Sequence, residues 1–138
     1  DIVLDVARYF THEMNIIKSL NVDAKTQLEG VIKHHVDLTI NNPEAIAILN
    51  NDWMHLEGKH LEDFKMMRDT YENDLRSIIT QGIEHKEIAF QNIDIILFSI
   101  LSTLRTLHLW YRKRSDLSEN DLKKDITDIL LKGILVKS

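Results

Sequence analysis

No cysteine occurs among the 138 residues. That excludes a disulfide scaffold, thiolate zinc sites and thiol catalysis, and it fits a reducing compartment. Glycine is scarce at 4 residues, and there is 1 proline. So few turn formers exclude a many-stranded sandwich and a glycine loop that cradles phosphate. An excess of positive charge is also missing: 17 Lys and Arg face 22 Asp and Glu, for a formal net charge of −5. The bulk electrostatics of a DNA-binding domain are absent from this stretch, which predicts no sequence-specific DNA binding by residues 1–138 alone. Asp1-Ile2-Val3-Leu4 has neither the basic start nor the cleavage pattern of a signal peptide. It reads as the inside of an apolar-periodic helix, which predicts further chain upstream.

What is present is an ordinary globular mixture, 43% hydrophobic and 28% charged. The length suits one domain with one core. Apolar residues recur at three-and-four spacing, the signature of one helix face. Val3, Val6, Ala7, Phe10, Met14 and Ile17 mark a first helix to about Leu20. Asp23 is placed to cap a second, Ala24 to Ile40, with Leu28, Val31, Ile32, His35, Val36 and Thr39 on one stripe. Asn42 and Pro43 suit the cap and first turn of a short third helix. The fourth runs from about Lys59 to Gly82, followed by a polar connection to Asn92. The fifth runs to about Arg114, closed by Arg112-Lys113-Arg114, whose cations favour the helix dipole. The sixth opens on Ser118 with Asp121 three residues on, has Leu117 and Leu122 placed as a hydrophobic staple, and extends to near Val136. No segment alternates at strand period for more than a few residues, so the class is all-α with about six helices.

The fifth helix is apolar on nearly every side, from Ile93 to Trp110. Such a helix is central in a protein or lies in a membrane. A span needs about 20 mostly apolar residues, and here Asp94 and Arg105 interrupt the run. A membrane span is therefore disfavoured. A domain this small cannot hide such a helix, so a dimer interface is expected to supply the missing cover. The sixth helix adds a stripe of Leu122, Ile126, Ile129, Leu130, Gly133 and Ile134, in which small Gly133 would admit a neighbouring helix. With Ile100 and Leu104 of the fifth helix, these are the expected dimer contacts.

Several segments in sequence then resemble one family. Arg68-Asp69-x-Tyr71-Glu72 leads into Leu75-Arg76-x-Ile78-Ile79-x-x-Gly82. An apolar helix ends in Leu109-Trp110-Tyr111, Leu117-Ser118-x-x-Asp121-Leu122 follows, and Ile129-Leu130-Leu131-x-Gly133-Ile134 closes the series. This order resembles the ligand-binding and dimerisation domain of TetR-family transcriptional regulators over about Phe64 to Gly133. Residues 1–63 match in helix content and placement. One departure is visible: Lys86-Glu87-Ile88 stands where many relatives carry a second glycine and a phenylalanine after the position of Gly82.

The resemblance implies a cytoplasmic homodimer, a four-helix bundle built from the last two helices of each subunit, and a small, partly apolar effector bound among the others. It implies DNA contact, typically as a repressor, through a helix-turn-helix upstream of residue 1, with no enzymatic activity, cofactor or membrane. The pattern is most similar to regulators of fatty-acid or sterol metabolism that sense acyl-CoA thioesters. Trp53, Met54, Phe64, Met66, Met67, Tyr71, Trp110 and Tyr111 fall on the helices the family uses for its pocket, and aromatic and methionine side chains suit an adaptable apolar cavity; the first, third, fourth and fifth helices should enclose it with several of Phe10, Met14, Trp53, Met54, Met67, Tyr71 and His108. Plain core packing is the alternative for each. A helical enzyme or carrier of a small apolar substrate and a groove-bearing protein–protein adaptor are the competing readings. None of the seven histidines pairs at the i, i+4 spacing of a helical zinc motif, so no metal site is expected. His12, His35 and His108 instead suit hydrogen bonding in a core or pocket. Asp94 and Arg105, eleven residues apart, share a helix face but cannot touch. Arg105 is left with three options: a structural ion pair, an effector's acidic group, or solvent.

Overall fold

The computed structural model describes residues 1–111 and 116–136. Among them are six helices: α1 (Ile2–Ser19), α2 (Ala24–Asn41), α3 (Pro43–Asp52), α4 (Gly58–Glu84), α5 (Ile93–Tyr111) and α6 (Glu119–Lys132). A single 3₁₀ turn, Trp53–His55, joins α3 to α4. Short polar side chains start the helices by accepting otherwise orphaned amides. Asp1 accepts from Val3, Asp23 from Thr26, Asn42 from Ala45 and Ser118 from Asp121, at 2.7, 2.8, 3.2 and 3.0 Å. The expected basic close of the fifth helix, Arg112-Lys113-Arg114, lies outside the described residues.

The central helix is α2, which packs against all five others. Leu28, Val31, Ile32, Val36 and Thr39 on it are almost fully buried. α5, too apolar all round for a domain this small to cover, buries one face, through Ile96, Leu97, Ile100, Leu101, Leu104, Leu107 and His108. α5 is also the one described helix long and apolar enough to cross a membrane by length and composition. That buried face packs on α2, α3 and α4 of the same domain. Two ion pairs fasten it to α4: Arg105 to Glu72 at 2.8 Å, and Asp94 to Arg76. The shared face inferred for Asp94 and Arg105 is therefore the one turned to α4.

The connection after α4 has a defined geometry. Lys86 adopts a left-handed conformation, φ 62°. Its amide donates to the Ile83 carbonyl, and that of Glu87 to Gly82, which is the two-bond termination of a helix whose following residue is left-handed. Gly82 is required where it sits, because a Cβ there would lie 2.5 Å from the Ile88 side chain and 3.1 Å from Ala24. The Glu87 carboxylate accepts from the Ala24 and Lys25 amides at the start of α2, at 3.2 and 3.4 Å. Ile88 forms an isolated antiparallel bridge with Leu135, through Ala89 N–H to the Ile134 carbonyl and Val136 N–H to that of Glu87. This bridge stops α6 at Lys132, four residues short of the expected end. Gly133 is its exposed C-cap, not an interior helix residue.

Candidate functional site

The buried apolar residues form two clusters. The larger gathers α2 with α5, α6 and the ends of α1 and α4. The smaller joins Val3, Leu4 and Ala7 of α1 to Leu56 and Phe64, with Leu49, Trp53 and Met67 packed on it. A cavity of about 480 Å³ borders both, within the usual size range of small-molecule sites.

Helical spacing sets its walls. Phe64, Met67, Arg68 and Tyr71 recur at three and four residues along α4, and Leu101, Arg105 and His108 along α5, so each set forms one stripe facing the cavity. Ala7, Phe10 and Thr11 come from α1, His35 from α2, and Leu49 and Asn50 from α3. Trp53 stacks on Phe64 with ring centroids 5.6 Å apart and planes within 6°. The Arg68 guanidinium lies 5.5 Å from the Trp53 ring centre, within cation–π range. Phe10 meets Tyr71 edge-on at 5.9 Å and His35 at 4.9 Å. Asn50 Nδ2 donates to the Arg105 carbonyl at 2.7 Å and ties α3 to α5 beside the cavity. Among the described residues, no aspartate or glutamate lines it.

The polar groups on this wall are unusual. Both ring nitrogens of His35 and Nδ1 of His108 are buried and make no hydrogen bond of normal geometry, the Leu104 backbone being only a weak neighbour of His35. Each unmade bond of this kind costs about 1–3 kcal/mol. Burial, then electrostatic repulsion dominated by Arg105, pushes the His35 pKa down to about 3, against a weaker pull from the Leu104 backbone. His35 is therefore neutral near pH 7. Burial raises the Tyr71 hydroxyl above the ordinary phenol value, against the opposing effect of Arg105.

Of the seven residues expected around a pocket, Phe10, Trp53, Met67, Tyr71 and His108 line this cavity. Met14 does not: one turn beyond Phe10, it is 1% exposed inside the larger cluster. Met54 is 63% exposed, because the 3₁₀ turn carries its side chain outward. The pocket set omitted His35, Arg105, Asn50 and Arg68. His35 and Arg105 carried a signal as polar residues inside apolar stripes, whereas Asn50 and Arg68 carried none.

The expected dimer contacts also divide. Ile100, Leu104, Leu122 and Ile134 belong to the chain's own core, so they are not available to a second chain. Ile126 and Leu130 are half-buried against that core, Ile129 is 71% exposed, and Gly133 is exposed. The outward apolar face of α5 consists instead of Ile95, Phe98, Leu109 and Trp110.

Solved structures share this architecture. The ketosteroid transcriptional regulator KstR2 of Mycobacterium tuberculosis superposes with a TM-score of 0.86, at 15% identity, over 96% of this chain and 68% of that one. The TetR-family transcriptional regulator PfmR of Thermus thermophilus gives 0.81, at 18% identity, over 95% and 71%. AibR, in complex with isovaleryl coenzyme A and operator DNA, gives 0.81, at 14% identity, over 94% and 71%. At these identities the likeness establishes the fold: a TetR-regulator helical domain. No curated protein matches the chain. The sequence family described as the tetracyclin repressor-like C-terminal domain matches residues 21–134, and the chain belongs to that family.

Proposed function

We propose that this domain is the effector-binding and dimerising part of a TetR-type transcriptional regulator. It senses a small, mostly apolar ligand and passes that occupancy to a DNA-reading helix-turn-helix elsewhere in the protein. The observation that carries the reading is the cavity of about 480 Å³ between the two clusters, walled by Phe10, Trp53, Phe64 and Tyr71. Family membership adds weight, as do two fold neighbours, one named as a ketosteroid regulator and one solved with isovaleryl coenzyme A. Fatty acids, acyl-CoA thioesters and flat apolar compounds are the candidate effectors. The domain binds its effector without turning it over. It acts as a homodimer, joined through the outward faces of α5 and α6.

Thermal denaturation against these three ligand classes tests the proposal. A true effector adds about 2.7 kcal/mol of stability at a hundredfold excess over its dissociation constant. Ala7→Phe or Leu49→Trp, which fill the cavity, should abolish that gain while leaving a folded domain. Absence of stabilisation by every class would overturn the effector reading.

A further inference from the structure

The wall of the cavity holds three buried side-chain nitrogens, two on His35 and one on His108, that make no hydrogen bond of normal geometry. Buried polar atoms are normally paired, and exceptions call for an explanation. A half-turn of an imidazole exchanges Nδ1 with Cδ2 and Nε2 with Cε1 while the ring keeps its shape. Either histidine can thereby turn a nitrogen toward an occupant with little repacking. A neutral imidazole offers one donor and one acceptor.

The cations near this end are already engaged. The charge of Arg105 is already answered by Glu72 at 2.8 Å. Arg68, the other cation of the lining, lies over the Trp53 and Phe64 rings and contacts Asp69 at 3.4 Å. With no acid in the described lining and both cations engaged, the buried nitrogens of His35 and His108 are the hydrogen-bonding groups left to an occupant. A hydroxyl both donates and accepts, so it can answer one imidazole acceptor and one imidazole donor at once. Phe10, Tyr71 and the Trp53–Phe64 stack give the lining aromatic, apolar surface. Such walls suit rings, which bury much area at little conformational cost.

We propose that the cavity selects a ring compound carrying an uncharged hydroxyl, with the hydroxyl held by His35 and His108. This rests on the effector reading above and narrows it from apolar ligands in general to hydroxylated rings.

The test is the binding of naphthalene, 2-naphthol and 2-naphthoate, followed by calorimetry and by Trp53 fluorescence. The expected result is that 2-naphthol binds about tenfold more tightly than either of the others, the value of one well-made buried hydrogen bond. His35→Leu should erase that preference, so that 2-naphthol and naphthalene bind this variant alike. His35→Gln, which keeps a donor and an acceptor, should restore it. His108→Leu serves as a second, independent variant and should weaken the preference. The proposal is overturned if 2-naphthoate binds best, if the three bind alike, or if the preference survives both leucine variants. It also falls if fatty acids bind and none of the naphthalenes does. In each of these cases the cavity remains an effector site. If no apolar ligand of any class binds, the effector reading falls with it.

Discussion

His35 decides more about this domain than its single side chain suggests. In an unfolded chain it titrates at about 6.5, and in the fold at about 3. Between those values the unfolded state holds one more proton, so stability falls as the pH falls. The stability is fully present above about pH 6.5 and is lost progressively toward the folded value. From pH 7 to pH 5 this one group should remove about 2 kcal/mol. His35→Leu should abolish that share of the pH dependence, read as the difference between the two proteins' urea-denaturation midpoints at pH 7 and pH 5. If the two proteins lose stability in parallel over that range, His35 is not buried in its neutral form. The same substitution removes two buried nitrogens that make no hydrogen bond of normal geometry, so at pH 7 the unliganded variant should be at least as stable as the parent. A residue that weakens the unliganded fold while bordering the cavity fits a ligand-recognition role better than a purely structural one.

At the scale of elements, caps and apolar stripes were legible, and long-range packing was not. Asn42, Pro43 and Ser118 marked helix starts correctly because capping is local chemistry. The stripe on α2 was equally readable, yet its place at the centre was not, since that depends on which elements surround it. On α5 the all-round apolar surface implied that one domain could not cover it, and half of that surface does face outward, as Ile95, Phe98, Leu109 and Trp110. The end of α6 was misplaced because the Ile88–Leu135 bridge joins segments 47 residues apart, a pairing that no local pattern announces. The cavity followed the same rule. Aromatics at helical spacing flagged Phe10, Trp53 and Tyr71, while Met14 looked equivalent to Phe10 until the rotation of α1 was fixed. The α4–α5 connection yields two expectations. Lys86→Gly should stabilise the domain by about 1 kcal/mol, because a left-handed residue with a Cβ carries roughly that cost. Gly82→Ala should destabilise it by about 1–3 kcal/mol, because Ile88 must move to admit the methyl. Chemical denaturation of the two variants checks both signs; a gain from Gly82→Ala would mean that Ile88 relaxes freely.

For the whole molecule, the question is which surface one chain offers to another. Of the fourteen large hydrophobic side chains exposed among the described residues, seven lie on α5, on α6 or on the bridged segments beside them. These are Phe90, Ile95, Phe98, Leu109, Trp110, Ile129 and Val136, with Phe90 91% exposed and Phe98 70%. Burying such a surface against a second copy lets apolar area leave water, and an obligate interface of this kind should cover about 2,000 Å² or more in total. The separation between outward and inward residues makes the proposal testable without confusing assembly with folding. Phe98→Glu and Ile129→Glu change residues that the single chain leaves in solvent, so each should shift the fold's own stability by no more than about 0.5 kcal/mol. Each should nevertheless convert the dimer to a monomer, because a carboxylate at the centre of an apolar interface is desolvated without a partner. Leu104→Glu is the contrasting control. Leu104 has no exposure, so this change should unfold the chain rather than split a pair. Sedimentation velocity at micromolar concentration, with circular dichroism on the same samples, reads both properties. Folded monomers for Phe98→Glu and Ile129→Glu beside a dimeric parent are the expected pattern. A parent that sediments as a monomer would mean that this face is covered by something other than its own copy.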